Sequence, residues 1–240
     1  IYNTLEKTMD QYVAIIPVRG GSKSIPLKNI KLLCGRPLVY WTMDAALHCP
    51  ELDRVYVCTD SPQIRSVVES YISENQCGGK ISCIGRPEET ATDTASTESV
   101  MQYFADTYPD FKYMVLIQAT SPTLQAHHLS EAIRLFEERG YDSMLSGVRQ
   151  KRFCWAEKDG YFYPTNYDYR NRPRRQEFNG YLVENGAFYI HKKELFDVSQ
   201  YRLYGKIGLY EMPEESYLEI DEPSDWVMIE NILQQRKLKK

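Results

Sequence analysis

Short apolar runs alternate with stretches of helical periodicity through residues 12–148 of the chain. Residues 12–18 form a continuous, β-branched apolar run that ends at Gly20 and Gly21, which is typical of a buried strand followed by a turn. Similar runs predict strands over residues 54–58, 80–84, 114–117 and 143–148. Apolar residues at helical spacing predict helices over residues 37–47, 62–71, 96–104 and 129–139.

This alternation of strands and helices implies right-handed crossovers between parallel strands. The predicted fold class is therefore α/β, with a mostly parallel sheet that carries helices on both faces. Ligands bind such sheets at the carboxyl ends of the strands, so the polar residues that follow each strand are the candidates for a functional site.

The pattern changes after Lys151. Residues 161–184 are rich in Tyr, Arg, Asn and Pro and have no helical period, which predicts a protruding hairpin or loop pair over about 151–184. Strands are predicted again over 187–190 and 217–221, and a closing helix over 223–235 with Ser224 as its N-cap. Without a linker or an internal repeat, we expect one domain over residues 9–240 with this excursion, and we set residues 1–8 aside as an extension.

Net charge, apolar run length and cysteine spacing argue against several classes of function. The net charge of −4 lacks the basic excess of nucleic-acid-binding proteins. No apolar run approaches the roughly 20 residues that span a bilayer, and no signal-peptide pattern opens the chain. The six cysteines form no C-x-x-C pair, which argues against zinc and thioredoxin-like chemistry and favours reduced thiols in a cytoplasm or nucleus.

The first candidate site is the loop of residues 19–29, directly after the first predicted strand. Its two glycines allow close backbone approach to a ligand, and its exposed N–H groups suit phosphate oxygens. Arg19, Lys23 and Lys28 add three cations, which suit a triphosphate better than a single phosphate. The loop matches neither the Walker A nor the G-x-G-x-x-G pattern. The alternative is a solvated basic turn.

Two more candidates follow later strands. Arg86 could bind a base edge or a phosphate, and Ser96 offers a hydroxyl to a base or ribose, although Asp93 or Thr94 could simply cap a helix there. Gln118 is expected at the mouth of the strongest strand, where it could bind a ligand hydroxyl or order a water. The alternative is a turn built on the Ser-Pro pair that follows.

The last candidates lie in the second half of the chain. The arginines of residues 172–175 could bind a carboxylate in a bidentate manner, or form a solvated charge run. Glu219 and Asp221, on a predicted strand, would point to the same side and offer hard oxygen ligands to Mg²⁺. They could equally be an acidic strand end that leads into a helix cap.

Taken in order, these segments resemble the CMP-sialic acid synthetases, also called N-acylneuraminate cytidylyltransferases. The opening R-G-G-S-K-x-I-P-x-K-N is specific, and residues 173–176 followed by 184–189 are similar to the animal-type enzymes. The resemblance covers the chain from Met9 onward. It implies a nucleotide-diphospho-sugar transferase-like fold, a Mg²⁺ cofactor, and a homodimer in which the excursion crosses to the partner and helps complete its sugar site.

The resemblance also implies roles for single residues. Triphosphate binding falls to Arg19, Ser22, Lys23 and Lys28, nucleoside binding to Asn29, Arg86 and Ser96, sugar binding to Gln118, Arg174 and Asn185, and Mg²⁺ binding to Asp221 with Glu219 beside it. Arg19, Lys28 and Asp221 would act in catalysis, and Arg174 would bind the sugar carboxylate. Two positions depart from the family pattern: Ser24 stands where Gly is usual, and Glu219 where Asp is usual.

The predicted function is transfer of CMP from CTP to the anomeric hydroxyl of a nine-carbon 2-keto acidic sugar, N-acetylneuraminate or KDN, with release of pyrophosphate. We expect a homodimer in the cytoplasm, or in the nucleus of an animal cell, without nucleic-acid or membrane partners. Within the same class, legionaminate, pseudaminate or octulosonate are alternative acceptors. From other classes, the chain could be a non-catalytic nucleotide-binding regulatory module, or a uridylyl- or guanylyltransferase that needs no carboxylate-binding Arg174.

Overall fold

The computed structural model describes residues 10–238, and the predicted extension over residues 1–8 lies outside this range. The strands are β1 Asp10–Pro17, β2 Leu32–Leu33, β3 Arg36–Pro37, β4 Arg54–Thr59, β5 Ile81–Gly85, β6 Phe111–Ile117, β7 Ser143–Gln150, β8 Trp155–Lys158, β9 Tyr161–Pro164, β10 Tyr181–Lys192 and β11 Ile207–Met212. The helices are α1 Leu38–Leu47, α2 Pro62–Glu74, α3 Glu88–Ala91, α4 Thr97–Thr107, α5 Ala126–Arg139, α6 Lys193–Ser199 and α7 Pro223–Leu238.

Seven of these strands form the central sheet, in the order β11-β7-β10-β6-β1-β4-β5. β1 pairs in parallel with β4 and β6, β4 with β5, and β7 with β11. β10 runs antiparallel between β6 and β7. The predicted mostly parallel sheet is confirmed, and β1, β4, β5 and β6 end at the same edge.

The two faces of the sheet pack against different helices because successive strand residues point to opposite sides. In β1, Ala14 and Ile16 join the core with α1, α2 and α5, whereas Val13 and Ile15 join the core with α4 and α6. The predicted helices on both faces are confirmed. α7 packs separately, on the loop that follows β1.

Between β7 and β10 the chain forms the β8–β9 hairpin, as the composition of this segment predicts. Asp159 and Gly160 join the two strands and both have positive φ angles, 53° and 78°. Two consecutive residues of this kind are the requirement of a type I′ hairpin turn. The hairpin is separate from the central sheet and exposes several aromatic rings.

The strand predicted near the C-terminal end of the chain is wrong. Residues 217–221 form no strand: a 3-10 turn at Glu214–Ser216 leads into irregular backbone. The strand at the sheet edge is instead β11, which ends before Pro213, a residue without an N–H for the ladder. The apolar side chain of Ile220 packs against α7 rather than on a sheet.

The helix starts also differ from the predictions. α7 begins at Pro223, so Ser224 lies inside it, and the Asp225 carboxylate accepts the backbone N–H groups of residues 221 and 222. Ser96, rather than Asp93 or Thr94, caps α4 through a bond from the Ser99 N–H at 3.2 Å. α6 was not predicted.

Within residues 10–238, no helix combines the length and the apolar character that a membrane crossing requires.

Candidate active site

The carboxyl ends of β1, β5 and β6 border a cavity of about 280 Å³. Six of the predicted site residues line it: Arg19, Ser22, Lys28, Asn29, Arg86 and Gln118. They come from three segments that are distant in sequence, namely the loop of residues 19–29, the residue after β5 and the residue after β6, and the parallel strands bring these segments to one edge. This convergence is the arrangement that the α/β sheet rule predicts.

The loop after β1 is held in place at both of its ends. At the first glycine, the Gly20 N–H donates to Asp60 Oδ1 at 3.0 Å, and a Cβ atom on Gly20 would lie 3.0 Å from the Cβ of Ser61. Further on, Ile25 is buried in the core formed with α7. A 3-10 turn then begins at Lys28, which directs Lys28 and Asn29 to the cavity.

The three predicted phosphate-binding cations are paired with acceptors of the chain itself. Arg19 Nη1 donates to the Thr92 carbonyl at 2.9 Å and to Asp93 Oδ1 at 3.0 Å. Lys23 Nζ lies 2.9 Å from Asp93 Oδ2. The hydrogen bond from Lys23 is the main reason that the pKa of the Asp93 carboxyl lies below its usual value, and Arg19 acts in the same direction.

Lys28 is the most protected of these cations. Its side chain is 13% exposed, compared with 77% for Lys23. Its Nζ donates to the Ile220 carbonyl at 2.8 Å and to Asp221 Oδ1 at 3.1 Å. Lys28 therefore joins the loop to the segment that carries the two predicted metal ligands.

Ser24, the departure from the family pattern in this loop, has a contact of its own. Its hydroxyl donates to Glu222 Oε1 at 3.0 Å, which adds a second link between the loop and the segment before α7. A glycine at this position could not make this bond.

Arg86 follows β5 and lines the cavity from the opposite side. Its Nε donates to Thr90 Oγ1 at 3.3 Å and its Nη2 to the Thr90 carbonyl, and burial lowers the pKa of its guanidinium. Ser96 is not among the lining residues, although Ala95 and Thr97 on either side of it are. The predicted nucleoside role of Ser96 stays a prediction.

Gln118 meets β10 at the far end of the cavity. Because Phe188 pairs with Ile117, the residues before Phe188 pass beside Gln118. The Gln118 side-chain amide donates to the Gly186 carbonyl at 2.5 Å, which fixes its orientation. Gly186 has a φ of +65°, and a Cβ atom on it would lie 2.6 Å from Gln118 Nε2 and 3.0 Å from Glu219 Oε2.

Glu219 and Asp221 lie next to the cavity residues Thr120 and Lys28, although the backbone that carries them is irregular and not the predicted strand. The backbone N–H of Ile220 donates to the Thr120 carbonyl at 2.8 Å, and Thr120 Oγ1 donates to Glu219 Oε2 at 3.2 Å. Burial raises the pKa of the Glu219 carboxyl above its usual value, and the negative charge of Asp221 raises it further.

These two carboxylates suit a metal site that substrate phosphates complete, and they do not form a metal site made of protein side chains alone. Within the part of the chain that the structure describes, no group of three or more His, Cys, Asp or Glu side chains could hold an ion by itself. Mg²⁺ in phosphate-transfer sites is commonly held by one or two carboxylates together with substrate phosphates. Asp221 and Glu219 suit an ion of that kind.

Two of the predicted sugar-binding residues do not line the cavity. Asn185 is buried, and its Nδ2 donates to the Ser216 carbonyl at 2.8 Å, so it anchors the 3-10 turn of residues 214–216. Arg174 is exposed within the excursion. Both assignments stay predictions.

The sequence patterns did not assign Asp60, Asp93 or Thr120 to the site. Asp60 directly follows β4, so the strand-end rule could have found it. Thr120 lies two residues after Gln118, in the same candidate segment that follows β6. The sequence around Asp93 indicates only a helix cap, because nothing in its spacing shows that it reaches back to the loop of residues 19–29.

The chain is similar to known cytidylyltransferases. The cytidylyltransferase family model matches residues 13–240. An N-acylneuraminate cytidylyltransferase of Oncorhynchus mykiss is 39% identical over 221 residues, which make up 90% of this chain and 49% of that protein. A protein of the same name from Escherichia coli is 32% identical over 239 residues, or 95% of this chain and 53% of that protein.

Solved structures share the fold at lower identity. A CMP:2-keto-3-deoxy-manno-octonic acid synthetase complexed with CTP has a TM-score of 0.68 at 17% identity, covering 94% of this chain and 99% of that chain. A 4-diphosphocytidyl-2C-methyl-D-erythritol synthase of Anaerococcus prevotii has a TM-score of 0.66 at 13% identity, covering 93% of this chain and 96% of that chain.

The chain therefore belongs to the cytidylyltransferase family. Its relatives within that family are the N-acylneuraminate cytidylyltransferases, so the predicted membership of the CMP-sialic acid synthetases is confirmed. The chain spans about half the length of the curated relatives it matches.

Proposed function

We propose that the chain transfers CMP from CTP to the anomeric hydroxyl of a nine-carbon 2-keto acidic sugar, N-acetylneuraminate or KDN, and releases pyrophosphate. One observation carries this proposal: the loop with three cations borders the cavity at the ends of β1, β5 and β6, and its Lys28 contacts Asp221 in the segment with two carboxylates. The names of the relatives support CTP as the donor and a sialic acid as the acceptor.

In the proposed reaction the anomeric oxygen forms a bond to the α-phosphorus of CTP, the proton of its hydroxyl passes to water, and the bond from that phosphorus to the bridging oxygen breaks in line. Negative charge then grows on the leaving pyrophosphate, where Arg19, Lys23 and Lys28 would offset it. Gln118, fixed by the Gly186 carbonyl, would orient the acceptor sugar. Positioning and charge stabilisation account for most of the catalysis in reactions of this type.

Asp221, with Glu219 beside it, would hold Mg²⁺ together with the phosphate oxygens. The ion, when bound, would neutralise phosphate charge and make the α-phosphorus more open to attack. The motivating observation is the pair of neighbouring carboxylates, one of which already contacts a loop cation.

We expect Asp221→Asn to weaken Mg²⁺ binding to the enzyme–CTP complex by about tenfold or more, because one charge-charge interaction is lost. Calorimetric titration of Mg²⁺ in the absence of sugar measures this effect separately from turnover. Glu222→Gln is the matched control, since Glu222 is a neighbouring exposed carboxylate that contacts Ser24 instead. Equal Mg²⁺ affinity in wild type and Asp221→Asn would contradict the assignment.

The experiment that tests the function is pyrophosphate release from CTP and Mg²⁺ with separate acceptors: N-acetylneuraminate, KDN, legionaminate and octulosonate. Release with N-acetylneuraminate or KDN well above the others would support the proposal and identify the acceptor. Release only with legionaminate or octulosonate would replace the acceptor. CTP binding without release on any acceptor would favour a nucleotide-binding module over an enzyme.

We also propose that the β8–β9 hairpin forms the homodimer contact that the family resemblance implies. Tyr161 and Phe162 are 79% and 68% exposed, and Trp155 and Tyr163 of the same hairpin are also exposed. Exposed aromatic patches of this kind are typical of protein interfaces. Because Arg174 is exposed in the same excursion, it would bind the sugar carboxylate in the assembled dimer.

The double variant Tyr161→Ser, Phe162→Ser is expected to raise the dimer dissociation constant by more than about 100-fold, because burial of each ring contributes about 1.5–3 kcal/mol. Sedimentation velocity over a range of concentrations measures the shift toward monomer. Tyr201→Ser removes an aromatic ring that is 70% exposed outside the hairpin and serves as the control. A double variant that remains as dimeric as the control would contradict the assignment.

The proposed compartment is the cytoplasm, or the nucleus of an animal cell. None of the six cysteines, all of which lie in the described range, forms a disulfide. Several are buried in the core, where burial raises the pKa of the Cys49 and Cys58 thiols. Protonated, unbridged thiols suit a reducing compartment.

A further inference from the structure

Asp93 occupies the position in the site where an anionic ligand would be expected. Its two carboxylate oxygens contact different loop cations, Oδ1 with Arg19 at 3.0 Å and Oδ2 with Lys23 at 2.9 Å. Asp93 also lines the cavity, and its side chain is 46% exposed, so the ion pairs are open to solvent and to a ligand.

This bridging carboxylate changes what the loop offers to a phosphate. Both cations already have a negative partner, so an incoming phosphate must break these pairs or bind close to a like charge. Exposed ion pairs of this kind are weak, each contributing up to about 1 kcal/mol. The contact can therefore be broken by a ligand that carries several negative charges.

We infer that Asp93 is an internal counter-anion that sets the affinity of the loop for polyphosphate. It is displaced from Arg19 and Lys23 when a triphosphate binds, and it pairs with them again as pyrophosphate leaves. The inference depends on the proposed function only for the identity of the ligand as CTP. Its physical basis, a carboxylate that competes with phosphate for two cations, needs only that the loop binds polyphosphate.

Asp93→Asn is expected to tighten the binding of both pyrophosphate and CTP by about three- to tenfold, since the competing charge is removed. Binding of cytidine, which carries no phosphate, should be unchanged. The salt dependence of pyrophosphate binding should become steeper, because one more uncompensated positive charge faces the ligand. Calorimetry at two or more salt concentrations measures all three quantities.

Asp106→Asn is the matched control. Asp106 is an exposed carboxylate on α4 that accepts a bond from the Gln102 amide, so the substitution makes the same change in net charge away from the loop. Melting temperatures of both variants establish that they fold. Pyrophosphate affinity that is unchanged or weaker in Asp93→Asn, or that rises equally in Asp106→Asn, would overturn the inference.

The inference and the proposed function fail in different ways. If the chain releases pyrophosphate from CTP and Asp93→Asn leaves polyphosphate affinity unchanged, the inference is wrong and the function stands. If no acceptor supports release but Asp93→Asn still binds pyrophosphate more tightly, the function is wrong and the inference stands. Asp93→Ala, which also removes the hydrogen-bonding oxygen atoms, should tighten pyrophosphate binding in the same direction.

Discussion

Lys28→Met is expected to lower kcat/KM by about 10²–10³-fold, the largest effect of any single substitution in the loop. Lys28 is the most shielded of the three cations and contacts both the Ile220 carbonyl and Asp221. Charge stabilisation is stronger where water is excluded, and loss of one such group typically costs about 3–4 kcal/mol of transition-state stabilisation. Steady-state kinetics of pyrophosphate release measures the effect.

Lys23→Met is the control in the same loop. Lys23 is 77% exposed, so solvent screens its charge, and we expect a loss of only about threefold to tenfold. Each of the two variants loses one positive charge. A difference between their kcat/KM values therefore reports the effect of shielding the lysine from solvent and not the change in net charge. Losses of equal size in the two variants would show that the position of Lys28 between the loop and Asp221 has no special importance.

The features that could be predicted from the sequence are those set by local pattern. The buried run of β1 and the glycines after it predict a strand followed by a loop, and the parallel sheet brings that loop to the ends of β5 and β6. Arg86 and Gln118 therefore reach the same cavity as Lys28, as the strand-end rule requires. No tertiary contact has to be known for this part of the prediction.

The features that could not be predicted depend on contacts between distant segments. Glu219 and Asp221 reach the site because Ile220 packs against α7 and its N–H binds the Thr120 carbonyl, not because of strand alternation. Asn185 lies within an irregularity of the β10–β7 ladder, between Glu184 and Tyr189. Such a shift in register leaves no periodic signal in the sequence.

Asp93 shows the same limit. As a residue before a helix it has the composition of an N-cap, but Ser96 takes that role. The carboxylate of Asp93 is thus available to Arg19 and Lys23, which precede it by about 70 residues. Short-range rules assign a polar residue to its nearest possible partner, so a contact of this range is missed.

Gly186→Ala is expected to lower kcat by about 100-fold, because the new methyl group would displace the side chains of Gln118 and Glu219, to which we assign acceptor binding and Mg²⁺ binding. Its Cβ atom would lie 2.6 Å from Gln118 Nε2 and 3.0 Å from Glu219 Oε2, closer than van der Waals contact allows. Gln118 would lose its bond to the Gly186 carbonyl, and a misplacement of about 1 Å in such a group can cost about 100-fold in rate. Kinetics with saturating CTP and acceptor measures kcat.

The chain contains a control that separates this contact from backbone strain. Gly140, at the end of α5, has a φ of +59°, close to the +65° of Gly186, but a Cβ atom on it would meet nothing within 4 Å. Alanine in the left-handed region costs about 1–2 kcal/mol, so both variants should melt a few degrees lower, while Gly140→Ala should keep its kcat. If Gly186→Ala lost stability but retained activity like Gly140→Ala, glycine at position 186 would be required only for its positive φ angle. The orientation of Gln118 would then not depend on it.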